Sequence, residues 1–507
     1  VARSGRPGRR AAGARGCHRD EVARVAAGPG VKVLPTKAGQ HAGADATTIA
    51  MDLYGRLLGT TLFPAWERLR GRDTGSLGDM LHATQYASAA DRDDLQSGLL
   101  RRLVRHAYRH TDYYRAQWDA AGLGPDDVRD VRDLARLPLL EKPAARSSEQ
   151  ARIAKAPPFA SVVKTTSGTT GAPLVVRYNA ESRVWRDATR WRGYGWAGYR
   201  PGMKAFHYWG VLATPTTGWK KWKVELDHAL RRDHYFDCTP RGEADLEQAI
   251  AAIRTIRPEV MLAYAQGAAA LARHINRTGA RTWDDLPVIC GAERLWPSDR
   301  AEMVKAFGPG IFESYGCREV MLIGHECDRH DGLHLSAETM IVEVLVRAAD
   351  GSVRAARPGE VGEVAITDLH NLAQPLIRYV GGDRATLRAP EPCPCGRTLP
   401  RIGPIDGRVT DTLRDGRGNP VNGLLFSILF VSLTDEAREF QIVQQRSGDL
   451  IIRVVPVSAG RRISPALDQV AATFLDKYLP GIAYRWEYVD AIPMAAAGKR
   501  HVVVVEQ

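Results

Sequence analysis

Residues 94–121, "DLQSGLLRRLVRHAYRHTDYYRAQWDAA", place Leu95, Leu99, Leu103, Ala107 and Tyr114 near helical spacing with arginines between them. That pattern predicts one or two amphipathic helices against a core. "GLGPDDVRDVRDLARLPLLEK" follows as a turn, a short helix and an extended exit. Beyond residue 200, strand-like runs ("KAFHYWGVL", "EVMLAYA", "LPVICGAE", "GIFESYG", "IVEVLV", "GEVAIT") are interspersed with helical ones ("ADLEQAIAAIRTI", "QGAAALARHINR", "PSDRAEMVKAFG"). This rhythm argues for an α/β fold with one large N-terminal domain of several subdomains. Residues 403–419, "GPIDGRVTDTLRDGRGN", read as a linker or hairpin because glycine and charge break the pattern. After them come a helix ("GLLFSILFVSL"), strands ("EFQIVQQ", "DLIIRVVPV"), a helix ("SPALDQVAATFLDKYL") and strands ("YRWEYVD", "HVVVVE"). These predict a small α+β C-terminal domain, with expected divisions at 1–50, 51–406 and 407–507.

Composition changes this picture mainly at the N-terminus. The net charge is +12, and residues 1–50 hold nine Lys/Arg against three Asp/Glu in a Gly/Ala/Arg-rich stretch without periodicity. A disordered basic extension is expected there. A translated start upstream of the true one, at Met51, is a further expectation, because patterned sequence begins with "MDLYGRLLGTTLFPAWERL". The rest is only mildly basic, which suits anionic phosphates better than nucleic acid or a membrane as partner. The longest apolar run, residues 423–433, is about half of the ~20 residues that span a bilayer. Seven cysteines, odd in number and thinly spread, argue against a disulfide framework and for a reducing cytoplasm.

The stretch "TTSGTTG", Thr165 to Gly171, is where candidate chemistry enters. Small residues let backbone amides converge on an anion, and hydroxyls add neutral donors, so the loop suits a polyphosphate. It lacks the spacing and lysine of a Walker loop. Four further stretches stand in order after it: "ICGAE" (residues 289–293), "ESYGCRE" (313–319), "PLIRYVGGD" (375–383) and "AAAGKR" (495–500).

Together these five motifs resemble the adenylate-forming (ANL) superfamily of acyl-CoA synthetases, adenylation domains and luciferases. "ECDRHDGLH", "PLIRYVGGD" and "CPCGRTLPRIGPIDGR" are similar to the phenylacetate-CoA ligase family, nearest to members found in capsular-polysaccharide gene clusters. The likeness runs over residues 51–507. It implies that Thr165, Thr166, Ser167, Gly168, Thr169, Thr170 and Gly171 wrap the β- and γ-phosphates of ATP. Gly291, Ala292, Ser314, Tyr315 and Gly316 would line the adenine, with Tyr315 offering a ring face. Glu319 would hold Mg²⁺ and Asp383 the ribose hydroxyls. Lys499 would bridge the substrate carboxylate and the α-phosphate as the carboxylate attacks. Lys499, Glu319 and Thr166 are thus the implied catalytic set, Arg408 is implied to contact ATP, and the C-terminal domain would swing about a hinge near Arg408 to Asp411.

The implied reaction is acyl-AMP formation from a carboxylic acid and ATP, then transfer to coenzyme A. The alternative is transfer to an amine or hydroxyl, in polysaccharide or natural-product synthesis. His207 and Tyr264, between the phosphate loop and the adenine motif, are candidates for the acyl pocket. Cys327, His334, Cys393 and Cys395 form a candidate structural Zn²⁺ site, with His330 or His325 as alternatives to His334. Three departures stand out. Ala172 occupies a usual lysine position, Arg318 replaces the Thr or Ser before the motif glutamate, and Thr410 falls where a hinge Asp or Lys is usual.

Overall fold

The computed structural model describes residues 52–72, 74–157, 159–165, 174–209, 218–238, 243–348, 350–408, 412–416, 420–422, 436–458, 460–493 and 503–506. The extension 1–50, the loop 166–171, the predicted helix 423–433 and Lys499 lie outside these residues.

A 13-stranded sheet forms the frame. One half is parallel, running from the edge strand Asp233–Asp237 through Ala205–Trp209, Val260–Tyr264 and Val288–Gly291 to Ile311–Cys317. Its strands are rich in β-branched and aromatic residues, and the central ones, Val260–Tyr264 and Val288–Gly291, are buried on both faces, as parallel strands between helices must be. Helices Glu243–Ile256, Ala265–Thr278 and Pro297–Phe307 cover one face, where Phe206, Tyr208, Ile250, Leu271, Val288 and Phe307 share a core. Helix Ala180–Trp196 covers the other, with Trp191 and Tyr194 against Leu262, Ile289 and Phe312.

Ile311–Cys317 is parallel to one neighbour and antiparallel to the other, Met321–Glu326, and so joins the two halves. The antiparallel half continues through Leu333–Leu335, Arg401–Arg408, Tyr379–Leu387, Val361–Asp368 and Met340–Arg347. Helix Ala180–Trp196 is bolted across the junction by a buried ion pair, Arg192 to Glu338 at 2.6 and 2.9 Å. The segment 94–121 forms two helices, Ala89–His110 and Asp112–Ala120. They part at Thr111, which is extended (φ −124°) and whose hydroxyl accepts from Tyr114 N at 3.4 Å, an N-cap.

Near the C-terminus, strands Tyr484–Tyr488, Leu450–Pro456, Ala437–Gln444 and Val503–Val505 make a four-stranded sheet under helix Pro465–Tyr478. The expected linker divides between the two units. Residues through Arg408 belong to the large sheet, in register with Asp383, whereas Thr412–Arg414 forms a hairpin with Pro420–Asn422 and Leu413 enters the small core. Among the described residues, no helix is long and apolar enough to cross a membrane.

Candidate active site

Ligands of open parallel sheets sit beyond the carboxyl ends of the strands. Here the strand pairing aligns those ends. Tyr208 faces Ala263, Tyr264 faces Gly291 and Cys290 faces Glu313, so Trp209, Tyr264, Gly291 and Ser314 fall in one row across four strands. Ser314 Oγ donates to Cys290 O at 2.8 Å, tying two of the strands at that level. The Trp209 and Tyr264 rings meet edge to face at 4.6 Å. A Cβ on Gly291 would come within 3.1 Å of Ser314 Oγ and 3.4 Å of the Trp209 ring, so glycine keeps this point of the row open.

Beyond the row the chain turns tightly. Glu293 N donates to Gly291 O at 2.8 Å, and Ala292 takes φ 66°, a conformation that costs a non-glycine residue energy and gathers at functional sites. Gly316 is required by close approach, since a Cβ there would lie 2.4 Å from Met321 O.

The closing acids of "ESYGCRE" and "PLIRYVGGD" converge on the same end. Tyr315 Oη donates to Asp383 Oδ2 at 3.0 Å, and Tyr379 Oη donates to Glu319 Oε1 at 3.1 Å. Burial first, then the nearby carboxylates, push both phenols well above their usual range, so they remain protonated donors. Arg186 Nη1 holds Glu319 O at 2.9 Å while its Nη2 pairs with Asp368 at 2.6 Å, and the guanidinium lies 4.4 Å over Tyr178. Tyr178 belongs to the hairpin Ser161–Thr165/Val175–Asn179, whose strand ends carry the loop 166–173. Lys164 Nζ, on the other hairpin strand, reaches Met321 Sδ at 3.8 Å. The stems of the hydroxyl- and glycine-rich loop are therefore fastened to the Glu319 turn.

Glu319 is 6% exposed and forms no ion pair among the described residues. A buried carboxylate without a cationic side chain has the chemistry of a cation ligand, and Mg²⁺ fits it.

Two expectations shift in detail. Tyr315 is only 7% exposed and packs with Leu174, Val320 and Tyr379, so its ring is mainly core and its hydroxyl is what reaches the site. His207 stands two residues below the row, among Leu262, Ile289 and Phe312, and its Nε2 is engaged by Asp233 at 3.1 Å while its ring stacks on Tyr235. Tyr379 and Arg186 are the residues to which motif reading gave no role, whereas Trp209 stands in the same run, "KAFHYWGVL", that supplied His207 as a pocket candidate. Trp209 was legible as the last aromatic of its strand. The other two needed the packing.

Two strands on from Ser314, which pairs with His325 as His325 pairs with His334, the side chains of Cys327, His334, Cys393 and Cys395 come together with all ligand atoms within 4.8 Å of one another. Cys327 Sγ lies 3.7 Å from Cys393 Sγ, and Cys395 Sγ lies 3.3 Å from His334 Nε2. Tetrahedral zinc with bonds near 2.3 Å has edges of about 3.8 Å, so the donor set fits. His334 Nδ1 faces Leu399 O at 3.4 Å, which leaves Nε2 for a metal. His325 and His330 are engaged elsewhere, by Glu326 O and by the Glu326 carboxylate.

A mixed sheet with a strand-end aromatic row and two converging acids, joined to a small C-terminal sheet, is the frame of an adenylate-forming ligase fold. No family model matches the sequence. The phenylacetate-coenzyme A ligase of Thermus thermophilus is 30% identical over 366 residues, covering 70% of this chain and 79% of that one. The enzyme of the same name from Escherichia coli K12 is 29% identical over 347 residues, covering 66% and 75%. The chain belongs to the phenylacetate-coenzyme A ligase family. Among solved structures, a 2-hydroxyisobutyryl-CoA ligase in the postadenylation state superposes with a TM-score of 0.65 at 20% identity, covering 84% of this chain and 92% of that one, a likeness of fold.

Proposed function

We propose that the protein activates a carboxylic acid as acyl-AMP at the expense of ATP and passes the acyl group to coenzyme A. The observation that carries this reading is the meeting of the Glu319 turn, Asp383 and the stems of the 166–173 loop at the carboxyl end of the parallel strands, in a chain of this family.

Residues 166–171 cradle the β- and γ-phosphates with backbone amides and hydroxyls, holding the leaving pyrophosphate. Glu319 holds Mg²⁺, which when bound spreads charge over the phosphate oxygens. Asp383 accepts from the ribose hydroxyls through its two oxygens. Gly291, Ala292 and Ser314 to Gly316 line the base. Trp209 and Tyr264 form the wall against which the acid rests, so the carboxylate is delivered in line with the α-phosphorus. Lys499 steadies the charge that develops there and withdraws with the C-terminal domain, about the 408–411 segment, before the thiol attacks. Cys327, His334, Cys393 and Cys395 hold a structural Zn²⁺ that staples residues 327–334 to 393–395. Thiolates kept for a metal suit a reducing cytoplasm. Arg318, in "CRE", favours the capsule-cluster branch of the family.

Carboxylate-dependent exchange of pyrophosphate into ATP, across aromatic, fatty and hydroxy acids, tests the first half. Thioester formation with coenzyme A tests the second. Exchange with none of the acids defeats the proposal, and exchange without thioester moves the acceptor to an amine or hydroxyl.

A further inference from the structure

Each of two motifs carries a tyrosine four residues before an acid: Tyr315 before Glu319, and Tyr379 before Asp383. The hydrogen bonds do not run within the motifs. They cross, with Tyr315 donating to Asp383 at 3.0 Å and Tyr379 donating to Glu319 at 3.1 Å.

We propose that Tyr315 and Tyr379 are a crossed pair of positioning residues that sets the separation of the metal carboxylate and the ribose carboxylate, so that the two ends of the nucleotide are held by one rigid unit. The inference rests on the roles given to Glu319 and Asp383 above. Three observations carry it further. Both phenol rings are buried, Tyr379 at 1% exposed and Tyr315 at 7%, so their hydroxyls have no freedom to reach other partners. Each hydroxyl occupies one oxygen of a carboxylate, which retains lone pairs for a ligand. The backbone around Glu319 is fixed independently. Arg186 grips its carbonyl at 2.9 Å, and a register shift between Tyr315 and Gly316 with Met321 at φ 69° forces the turn that aims Glu319 toward Tyr379.

Both hydroxyls are spent on the carboxylates. Each acts through the acid it orients, as second-layer partners of metal ligands do. The crossing matters because the two acids come from different strands, Tyr379–Leu387 and the turn after Ile311–Cys317. A pair of bonds within each motif would orient each acid but leave their spacing to the strands.

The test uses the full-length protein and calorimetric ATP binding with and without MgCl₂, and with 2′,3′-dideoxy-ATP. Tyr379→Phe keeps the buried ring and should cut the gain in ATP affinity from magnesium by about tenfold, leaving magnesium-free binding unchanged. Tyr315→Phe should instead cut the preference for ATP over the dideoxy nucleotide by a similar factor. Wild-type behaviour of both variants, or a uniform loss for every nucleotide, overturns the pair. Glu319→Gln and Asp383→Asn run alongside. If these leave the magnesium and ribose dependences intact, the assignment of the acids fails, and the pair fails with it. If they abolish those dependences while the phenylalanine variants do not, only the pair fails.

Discussion

Cys395 Sγ lies 3.3 Å from His334 Nε2, although the two residues are 61 positions apart in the chain. Cys395 lies within a turn closed by Gly396 N donating to Cys393 O at 2.9 Å, and His334 sits on a three-residue strand between Met321–Glu326 and Arg401–Arg408. Side chains thus bring residues 327–334 and 393–395 together, with a donor set that fits a tetrahedral metal.

The purified protein should therefore contain zinc at a single equivalent per chain, measured by elemental analysis. Cys393→Ser should lose the metal and lower the unfolding midpoint, since removing a ligand removes binding energy that is folding energy. Pyrophosphate exchange at low temperature should survive, because none of the four ligands is among the residues proposed to hold the nucleotide or the acid. Metal-free wild-type protein with an unchanged midpoint would dispose of the site.

Lys499→Ala should reduce pyrophosphate exchange by at least about a hundredfold, the usual cost of removing a group aimed at developing charge. Far-ultraviolet circular dichroism should not change. An exchange rate close to wild type would take Lys499 out of the adenylation step.

The aromatic row makes a specificity prediction. Trp209→Ala should raise KM for the preferred acid and admit bulkier ones, because Trp209 faces Tyr264 and Gly291 at the strand ends. Gly291→Ala should narrow the same space. His207→Gln should instead leave acid preference alone and cost about 1 kcal/mol of stability through the lost Asp233 contact. A panel of acids in the exchange assay separates these outcomes, and a reversed ranking of Trp209 and His207 would put the pocket elsewhere.

Glu313 carries a pH dependence. Burial, then the adjacent Glu326 carboxylate, push it up to about 7 from 4.5, while Arg300 binds Glu326 at 2.7 and 2.9 Å. The native state thus keeps a proton that the unfolded chain releases between those values. Its stabilising contribution is complete below about 4.5 and fades as pH rises through about 7, with an upper bound on the order of 3 kcal/mol. Glu313→Gln should flatten this decline. Urea midpoints measured from pH 5 to 8 check it, and parallel curves for the two proteins would refute it.

Replacing Arg192 by Met should strand Glu338 as a buried charge and cost about 3–5 kcal/mol. Thermal unfolding reads this directly. A shift within error would mean that Thr84, which donates to Glu338 at 2.7 Å, suffices for it.

Local pattern determined a great deal here. The strands at 205–209, 260–264, 288–291 and 311–317 and the helices between them were legible because parallel strands are continuous apolar runs and their crossover helices carry a 3.6-residue period. Glu319, Asp383 and the stretch 165–171 were singled out by the resemblance of their motifs to a known family, since local pattern alone does not tell such acids from a solvated glutamate or a turn aspartate. Helix Ala180–Trp196 escaped notice because its buried face includes Arg186 and Arg192, whose charges hide the apolar stripe. Only the tertiary structure decided that His334, and neither His325 nor His330, faces the cysteines, that Trp209 and not His207 ends its strand in the row, and that the two tyrosines exchange acids. Each of these depends on register and on contacts between segments distant in sequence. A one-residue change of strand pairing turns a side chain to the opposite face, and nothing in the local period of a strand specifies which neighbour it will meet.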